Sequence, residues 1–319
     1  MKTNIEKVPC VDLKDFLSGD PLRKEKFIQE IGKAYQEIGF VALKSHFLEE
    51  ELVNDLYAQC KEFFALPLET KTKYEIDGIG GQRGYTGFGK ESAKGKTEGD
   101  LKEFWHFGQL LSQNSKYIDE YPENIIVEEL PEFNKVGQEV FEKLEKTGIY
   151  VLRALALFIG LDEFYFDDFI IEGNSILRPL HYPPIKEEPK EAVRAAAHTD
   201  INLITLLMGA HGKGLQVQNL DGKWIDAIAQ PDELMINVGD MLSRHTNDKL
   251  RSTIHQVENP PKEQWGTSRY SIPFFMHPVS DMKLNCLESC IDDHHPKKFE
   301  DITAGEYLNE RLRELGLID

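Results

Sequence analysis

Two histidines and an aspartate in the second half of the chain have the types and spacing of metal ligands. His198 and Asp200 stand two positions apart at the start of an apolar, β-branched run that predicts a strand. In extended backbone, side chains at i and i+2 point to one face, so an imidazole and a carboxylate would project together. His255, in the strand-like segment 249–257, offers a third ligand. Two imidazoles and one carboxylate can hold Fe(II) while leaving coordination positions open. These three residues are called the triad below.

A short segment beyond the triad offers a receptor for a carboxylate. The segment 268–275 predicts a strand on which Arg269 and Ser271 share one face. An arginine presents two parallel N–H donors to a carboxylate, and a serine adds a hydroxyl group. The order of a His-x-Asp pair, a distant His and an Arg-x-Ser pair is much rarer by chance than any one of its parts. We therefore expect a metal site with an anion-binding group beside it.

The elements that must position these groups differ between the two halves of the chain. Amphipathic patterns predict helices at 21–38, 49–65 and 131–160, and Gly148 weakens the last by about 1 kcal/mol relative to Ala. From about residue 175 onward, short strands alternate with turn signals. Many short strands without alternating helices indicate an antiparallel sandwich or barrel. The prediction is an α+β, β-rich fold with a double-stranded β-helix (jelly-roll) core and flanking helices.

The chain is expected to form one compact unit with three parts. Residues 1–165 form a helical and stranded region that supports the core, and residues 166–281 form the jelly-roll core with the candidate site. Residues 282–319 form a C-terminal segment whose amphipathic helix, at 304–315, packs on the rest. No stretch is rich enough in Pro, Gly or Ser to separate independent domains.

Composition limits the partners and the location of the protein. A formal net charge of −18 argues against nucleic acid and against anionic membranes, because both favour a basic surface. The four cysteines lack the spacing of a zinc site and are expected to be reduced thiols. No signal-peptide pattern and no membrane-length apolar run is present. We expect a cytoplasmic protein with a small-molecule partner, and the sequence is consistent with a monomer without fixing the oligomeric state.

The same residues carry a resemblance to a known family. The sequence resembles the 2-oxoglutarate/Fe(II)-dependent oxygenase superfamily, in the branch that contains isopenicillin N synthase and the plant flavonoid and gibberellin dioxygenases. The resemblance covers most of the chain and is carried by the segments 8–13, 37–41, 177–184, 198–200, 214–217, 237–240, 255 and 269–271.

This resemblance implies a set of cofactors and a reaction. The triad would hold Fe(II), and 2-oxoglutarate and O2 would be the co-substrates. Arg269 and Ser271 would anchor the distal carboxylate of 2-oxoglutarate, and Tyr182 would add a hydroxyl contact. The reaction would be the oxidation of a C–H bond of a small molecule, with release of succinate and CO2.

Two other functions are consistent with the sequence. An isopenicillin N synthase-like oxidase has the triad and an Arg-x-Ser pair yet does not use 2-oxoglutarate. A non-catalytic jelly-roll sensor would bind a metal without turnover. Hydroxylation, desaturation and ring closure also share one kind of iron site, so the sequence does not choose among them.

Four residues are candidates for contact with the substrate. The glycine-rich segment 77–99 has the composition of a flexible surface loop, and the resemblance implies that it borders the mouth of the active site. On that interpretation, Arg83 and Tyr85 contact the substrate. Trp105, on a predicted aromatic strand, and Phe274, next to the Arg-x-Ser pair, are the other two candidates.

Overall fold

The fold is described from a computed structural model. None of the helices in the described ranges has the length and apolar character of a membrane span. Residues 91–99 of the glycine-rich segment and the last residue of the predicted C-terminal helix lie outside those ranges. The described residues are 7–90, 102–185, 194–209, 214–259 and 261–314.

Eight helices occupy these ranges, and the three predicted from periodicity are confirmed to within two residues at each end. α2 begins where the side chain of Asp20 accepts a hydrogen bond from the backbone N–H of Leu22. Pro21 takes the first helical position, where a backbone N–H would have no acceptor within the helix. The helices are α1 Leu13–Leu17, α2 Pro21–Glu37, α3 Glu50–Ala65, α4 Leu68–Lys71, α5 Pro131–Phe158, α6 Asp167–Ile170, α7 Asp240–His245 and α8 Ala304–Glu314, with 3-10 turns at Thr72–Tyr74, Lys262–Gln264 and Glu288–Cys290.

The strands in the same ranges form two sheets. They are β1 Cys10–Asp12, β2 Phe40–Lys44, β3 Gly84–Thr86, β4 Glu103–Gly108, β5 Ile176–Leu177, β6 Leu180–Tyr182, β7 Ala195–His198, β8 Ile204–Met208, β9 Leu215–Gln218, β10 Trp224–Asp226, β11 Glu233–Val238, β12 His255–Val257 and β13 Arg269–Met276. The nine-stranded main sheet has the order β1-β2-β11-β8-β13-β5-β4-β3, with β6 paired to β13 and β4. The four-stranded minor sheet has the order β10-β9-β12-β7. This is the double-stranded β-helix fold with flanking helices.

The main sheet joins the N-terminal region to the core. β1 and β2 pair in parallel, and β2 continues the sheet through an antiparallel pairing with β11. β3 and β4 extend the other edge next to β5. The four strands before residue 165 are therefore part of the same sheet as the strands of the expected core, a relationship that residue patterns along the chain do not reveal.

α5 packs against one face of the main sheet, and the hydrophobic core lies between them. Phe141 of α5 contacts Phe274 of β13 edge to face, with ring centroids 4.9 Å apart. A Cβ atom at Gly148 would lie 2.4 Å from the sulfur of Met276. The glycine that lowers helix propensity therefore permits the close approach of helix and sheet.

Candidate metal and co-substrate site

β7 and β12 bring the two histidines of the triad together. The strands are antiparallel, and His198 pairs directly with His255. Their ring centroids are 4.4 Å apart. Asp200 lies just after β7, on the connection to β8 of the main sheet. It is therefore not on one strand with His198, as the i, i+2 spacing predicted. One candidate ligand atom from each residue lies within 4.8 Å of the others, which suits a single ion.

Backbone carbonyl groups orient both imidazoles. Nδ1 of His198 donates to the carbonyl oxygen of Ala196 over 2.7 Å, and Nδ1 of His255 donates to that of Thr253 over 3.1 Å. A carbonyl oxygen can only accept, so these bonds place a proton on Nδ1, and in the neutral ring they leave Nε2 with its lone pair. The two Nε2 atoms lie 3.8 and 3.7 Å from Oδ1 of Asp200. Both rings therefore present a metal-binding nitrogen to the same point.

The carboxylate of Asp200 is oriented in the same way. It is buried, and its Oδ2 accepts hydrogen bonds of 2.7 Å from Thr205 Oγ1 and from Asn237 Nδ2. Burial opposes ionisation, yet the neighbouring imidazoles and these two hydrogen bonds lower the pKa of Asp200 below its usual value. Oδ1 remains free to bind a cation.

The charge state of His198 also fits a metal site. The protein atoms packed around its ring, and then the neighbouring imidazole of His255, lower the pKa of His198 to about 4, although the side chain keeps 45% of its surface exposed. A neutral imidazole is the form that binds a metal. Two imidazole nitrogens and one carboxylate oxygen converging on one point form the donor set that suits Fe(II).

The Arg-x-Ser pair lies on β13 opposite β6. Arg269 pairs directly with Tyr182 and Ser271 with Leu180. The guanidinium carbon of Arg269 lies 5.9 Å from the centre of the Tyr182 ring. The structure thus brings together the three residues expected to hold 2-oxoglutarate.

Sequence reasoning missed a second cation at this place. Arg194 is buried, and its guanidinium carbon lies 5.8 Å from the centre of the Tyr182 ring, close to the distance from Arg269. Neither arginine pairs with a carboxylate in the described part of the chain, and burial lowers the pKa of each. One buried and one half-buried guanidinium group, neither with an acidic partner in the described ranges, form a receptor for an anion. The sequence offered one signal for Arg194. It stands four positions before His198 at the start of an extended segment, and residues at i and i+4 share one face of a strand.

Two of the predicted substrate residues lie instead in the hydrophobic core on the helix side of the main sheet. Trp105 is fully buried, with ring centroids 4.9 Å from Phe63 and 5.5 Å from Phe133, which belong to α3 and α5. Tyr85 is buried and donates a hydrogen bond to Glu103. The expectation for both is corrected, because these contacts place their side chains away from the triad.

Phe274 is the third candidate to be corrected. It is fully buried and packs on α5, whereas the Arg-x-Ser pair points to the opposite face of β13. Alternation along the strand assigns Phe275 and His277 to the face of the Arg-x-Ser pair, here called the inner face. The guanidinium carbon of Arg178 lies 5.2 Å from the centre of the Phe275 ring. Phe275, not Phe274, is therefore the phenylalanine that β13 contributes to the inner face.

The remaining inner-face wall is both aromatic and cationic. Arg178 donates a hydrogen bond from Nε to Nε2 of His106 over 2.5 Å. Its guanidinium carbon also lies 4.5 Å from the centre of the Phe104 ring. Arg83, the fourth predicted substrate residue, is buried, with 1 % of its surface exposed. It lies against Gly108, the last residue of β4.

Comparisons with known proteins agree with a site for Fe(II) and 2-oxoglutarate. A model of the 2OG-Fe(II) oxygenase superfamily matches residues 173–278, and a model described as non-haem dioxygenase in morphine synthesis N-terminal matches residues 8–129. The 2-oxoglutarate-Fe(II) type oxidoreductase hxnY of Emericella nidulans is 30% identical, covering 96% of this chain and 89% of its own. Proline hydroxylase buaE of Petromyces alliaceus is 32% identical, covering 96% of this chain and 98% of its own.

Solved structures give the same result. A 2OG-Fe(II) oxygenase family protein from Caulobacter crescentus is 40% identical with a TM-score of 0.88, covering 97% of this chain and 99% of its own. A full-length Neurospora crassa protein in complex with alpha-KG and thymine is 30% identical with a TM-score of 0.85, covering 98% of each chain. The chain belongs to the 2-oxoglutarate/Fe(II)-dependent oxygenase superfamily. It is a dioxygenase that uses Fe(II), 2-oxoglutarate and O2, and of the three functions consistent with the sequence this is the one that the relatives support.

Proposed function

We propose that the triad holds Fe(II) and that Arg269, Ser271 and Tyr182 hold the distal carboxylate of 2-oxoglutarate. The observation that carries the proposal is the convergence of three oriented ligand atoms, His198 Nε2, His255 Nε2 and Asp200 Oδ1. Each of these side chains has its other polar atom occupied by a protein hydrogen bond. Residues that bind a metal are usually oriented in this way, by hydrogen bonds to the atoms that do not face the ion.

The residues around the iron have separate tasks in this proposal. Bound Fe(II) supplies the oxygen chemistry that converts 2-oxoglutarate to succinate and CO2 and oxidises a substrate C–H bond. Arg269 and Arg194 balance the charge of the 2-oxoglutarate carboxylate, and Ser271 and Tyr182 add hydroxyl contacts. Because neither arginine has a carboxylate partner in the described ranges, the co-substrate would be their counterion.

The substrate in this proposal is a small molecule, and the reaction is a hydroxylation or a related oxidation. The inner-face residues Phe275 and Arg178, which contact each other, would present the substrate to the triad. The similar Neurospora crassa protein, whose solved complex contains thymine, supports a small-molecule substrate. We assign the chain to the isopenicillin N synthase-like branch on the segments named above.

Removal of each triad residue tests the metal assignment directly. His198→Ala, Asp200→Ala and His255→Ala should each bind less than about a tenth of the Co(II) bound by wild type, because the other two ligands alone hold a divalent ion weakly. Co(II) absorption reports binding, and thermal unfolding of the metal-free proteins shows that the fold persists. The exposed His294→Ala is the control and should bind Co(II) like wild type. Wild-type binding by any triad variant would remove that residue from the site.

A further inference from the structure

A cavity of about 380 Å³ lies between α8, the glycine-rich segment and the end of β13. Gln82, Asn174, His277 and Asn309 are among its polar lining residues, and Leu308 is among its apolar ones. Small-molecule sites are clefts of ≈ 300–1,000 Å³ with a mainly apolar lining and few polar groups. The cavity therefore has the size and the lining of a ligand site.

Backbone contacts place this cavity next to the triad. Met241 lines the cavity, and its backbone N–H donates a 3.1 Å hydrogen bond to the carbonyl oxygen of Ile201, the residue that follows Asp200. His277, which strand alternation assigns to the inner face, also lines the cavity. The cavity therefore adjoins the metal site.

Among the described residues, Arg83 is a buried charge without a counterion. Its Nη1 donates to the carbonyl oxygen of Gln82 over 2.7 Å and its Nη2 to Oδ1 of Asn174 over 3.2 Å, while its Nε–H has no acceptor among these residues. No carboxylate among the described residues pairs with it. A Cβ atom at Gly108 would lie 1.9 Å from the guanidinium carbon, so the absence of a side chain there makes room for the cation. A buried charge without a counterion is costly, and an anion bound nearby would offset that cost.

Asn174 stands between this charge and the cavity. Arg83 can only donate, so the hydrogen bond fixes Oδ1 of Asn174 towards the guanidinium group and turns its NH2 group elsewhere. That NH2 group donates to no residue in the part of the chain that the structure describes. Asn174 lines the cavity, and therefore offers a donor that is polarised by the cation behind it.

We propose that this cavity binds a carboxylate of the substrate, with the NH2 group of Asn174 as the direct donor and Arg83 as the charge that compensates it. The proposal rests on the proposed function, because the bound molecule is the one presented to the triad. Glu120 is an acidic lining residue, and it is exposed to solvent, whereas the Arg83 side of the cavity is buried. The cavity is thus polarised, with its positive end inside.

Matched acid and amide ligands test the preference for an anion. The protein is loaded anaerobically with Fe(II) and 2-oxoglutarate, which fills the site at Arg269, and is titrated calorimetrically with phenylacetate and with phenylacetamide. Phenylacetate should bind at least about tenfold more tightly, the discrimination expected for a charge-assisted hydrogen bond. Equal affinities, or no preference for the acid, would overturn the proposal and favour an uncharged ligand.

Two variants separate the anion site from general effects on folding. Asn174→Asp places a carboxylate against Arg83, so it should raise the Tm and lower phenylacetate affinity at least about tenfold. Arg83→Met removes the unpaired charge and should keep the Tm while abolishing the acid preference. Asn309→Asp adds the same charge on α8, away from the Arg83 contacts, and should not raise the Tm. Undiminished phenylacetate affinity in Asn174→Asp would contradict the assignment.

The visible charge-transfer band of the Fe(II)–2-oxoglutarate complex distinguishes a failure of the anion site from a failure of the proposed function. Its presence in wild type together with equal binding of acid and amide would count against the anion site alone. Its absence in wild type would count against the proposed function. Asn174→Asp should retain the band at wild-type intensity, because neither Asn174 nor Arg83 belongs to the triad or to the Arg269 site.

Discussion

The hydroxyl group of Thr199 donates a 3.0 Å hydrogen bond to the carboxylate of Asp240, 41 residues further along the chain. Thr199 stands between two triad residues, and Asp240 is the first residue of α7. The other oxygen of Asp240 accepts a 2.6 Å bond from Ser252, which shortly precedes the third triad residue. Its backbone N–H also donates to the carbonyl oxygen of Asp200 over 2.7 Å. One carboxylate therefore ties together the two segments that carry the metal ligands.

Loss of this carboxylate should weaken metal binding without removing a ligand. We expect Asp240→Ala to lower Co(II) affinity by about 10–100-fold, the usual effect of removing a group that orients metal ligands. Titration followed by Co(II) absorption measures it. Tyr307→Phe is the control, because Tyr307 reaches the same carboxylate from α8 over 3.4 Å and, among the described residues, makes no hydrogen bond to either ligand segment. Wild-type Co(II) affinity in Asp240→Ala would contradict the positioning role.

The second arginine beside Tyr182 should contribute to co-substrate affinity. Arg194→Gln should raise the 2-oxoglutarate concentration needed for half-maximal succinate formation by about tenfold, because it removes one charge-assisted contact. The exposed Arg23→Gln, which loses only a surface ion pair, should leave the saturation curve unchanged. A wild-type curve for Arg194→Gln would assign the site to Arg269 alone.

The buried ion pair behind the site should make stability depend on pH. Glu103 accepts 2.7 Å hydrogen bonds from Lys71 and from His181, and a further one from Tyr85. Burial opposes its ionisation, yet these partners lower the pKa of Glu103 below 4.5. A lowered folded-state pKa gives stability that is present above the unfolded value and is lost as the pH falls through the folded value.

Glu103→Gln should therefore lower the free energy of unfolding by about 3–5 kcal/mol near neutral pH, because it leaves Lys71 buried without a counterion. The difference from wild type should shrink as the pH falls below 4.5, where the wild-type carboxylate also becomes protonated. Urea unfolding across this range measures it, with the exposed Glu132→Gln as the control. A difference independent of pH would show that the charge of Glu103 is not what stabilises the fold.

Other divalent ions should compete with iron. The ligand set of the triad does not select Fe(II) by affinity, and Ni²⁺ and Zn²⁺ bind imidazole and carboxylate groups at least as strongly. Excess Zn²⁺ or Ni²⁺ should inhibit succinate formation, and added Fe(II) should relieve the inhibition. Undiminished turnover in excess Zn²⁺ would count against the triad as the metal site.

Periodicity and local spacing predicted the long helices and singled out most of the residues that we propose for the site. The three long helices follow from apolar spacing, and the Arg-x-Ser face of β13 follows from strand alternation. The same alternation assigns Phe275 to the inner face, so the choice of Phe274 was an error of parity that the sequence itself could have corrected. Trp105 was a different case, because β4 has aromatic residues on both faces and its pattern does not show which face meets the helices.

The rest depended on contacts between distant segments. Arg83 in the sequence is one basic residue in a glycine-rich stretch, and only the fold shows that it is buried against Asn174 with no acidic partner in the described ranges. Likewise, the approach of Arg194 to Tyr182 depends on which strands are neighbours. Sequence spacing gives the face of a strand, whereas its neighbours follow from the topology of the sheet.

An anaerobic titration of the Fe(II)-loaded protein with 2-oxoglutarate shows whether the triad and Arg269 bind iron and the co-substrate together. We predict that the visible charge-transfer band of a chelated 2-oxo acid appears in wild type, is lost in His255→Ala, and requires at least about tenfold more 2-oxoglutarate in Arg269→Ala. Iron that binds to the wild type without producing the band would contradict the assignment of these residues to Fe(II) and 2-oxoglutarate.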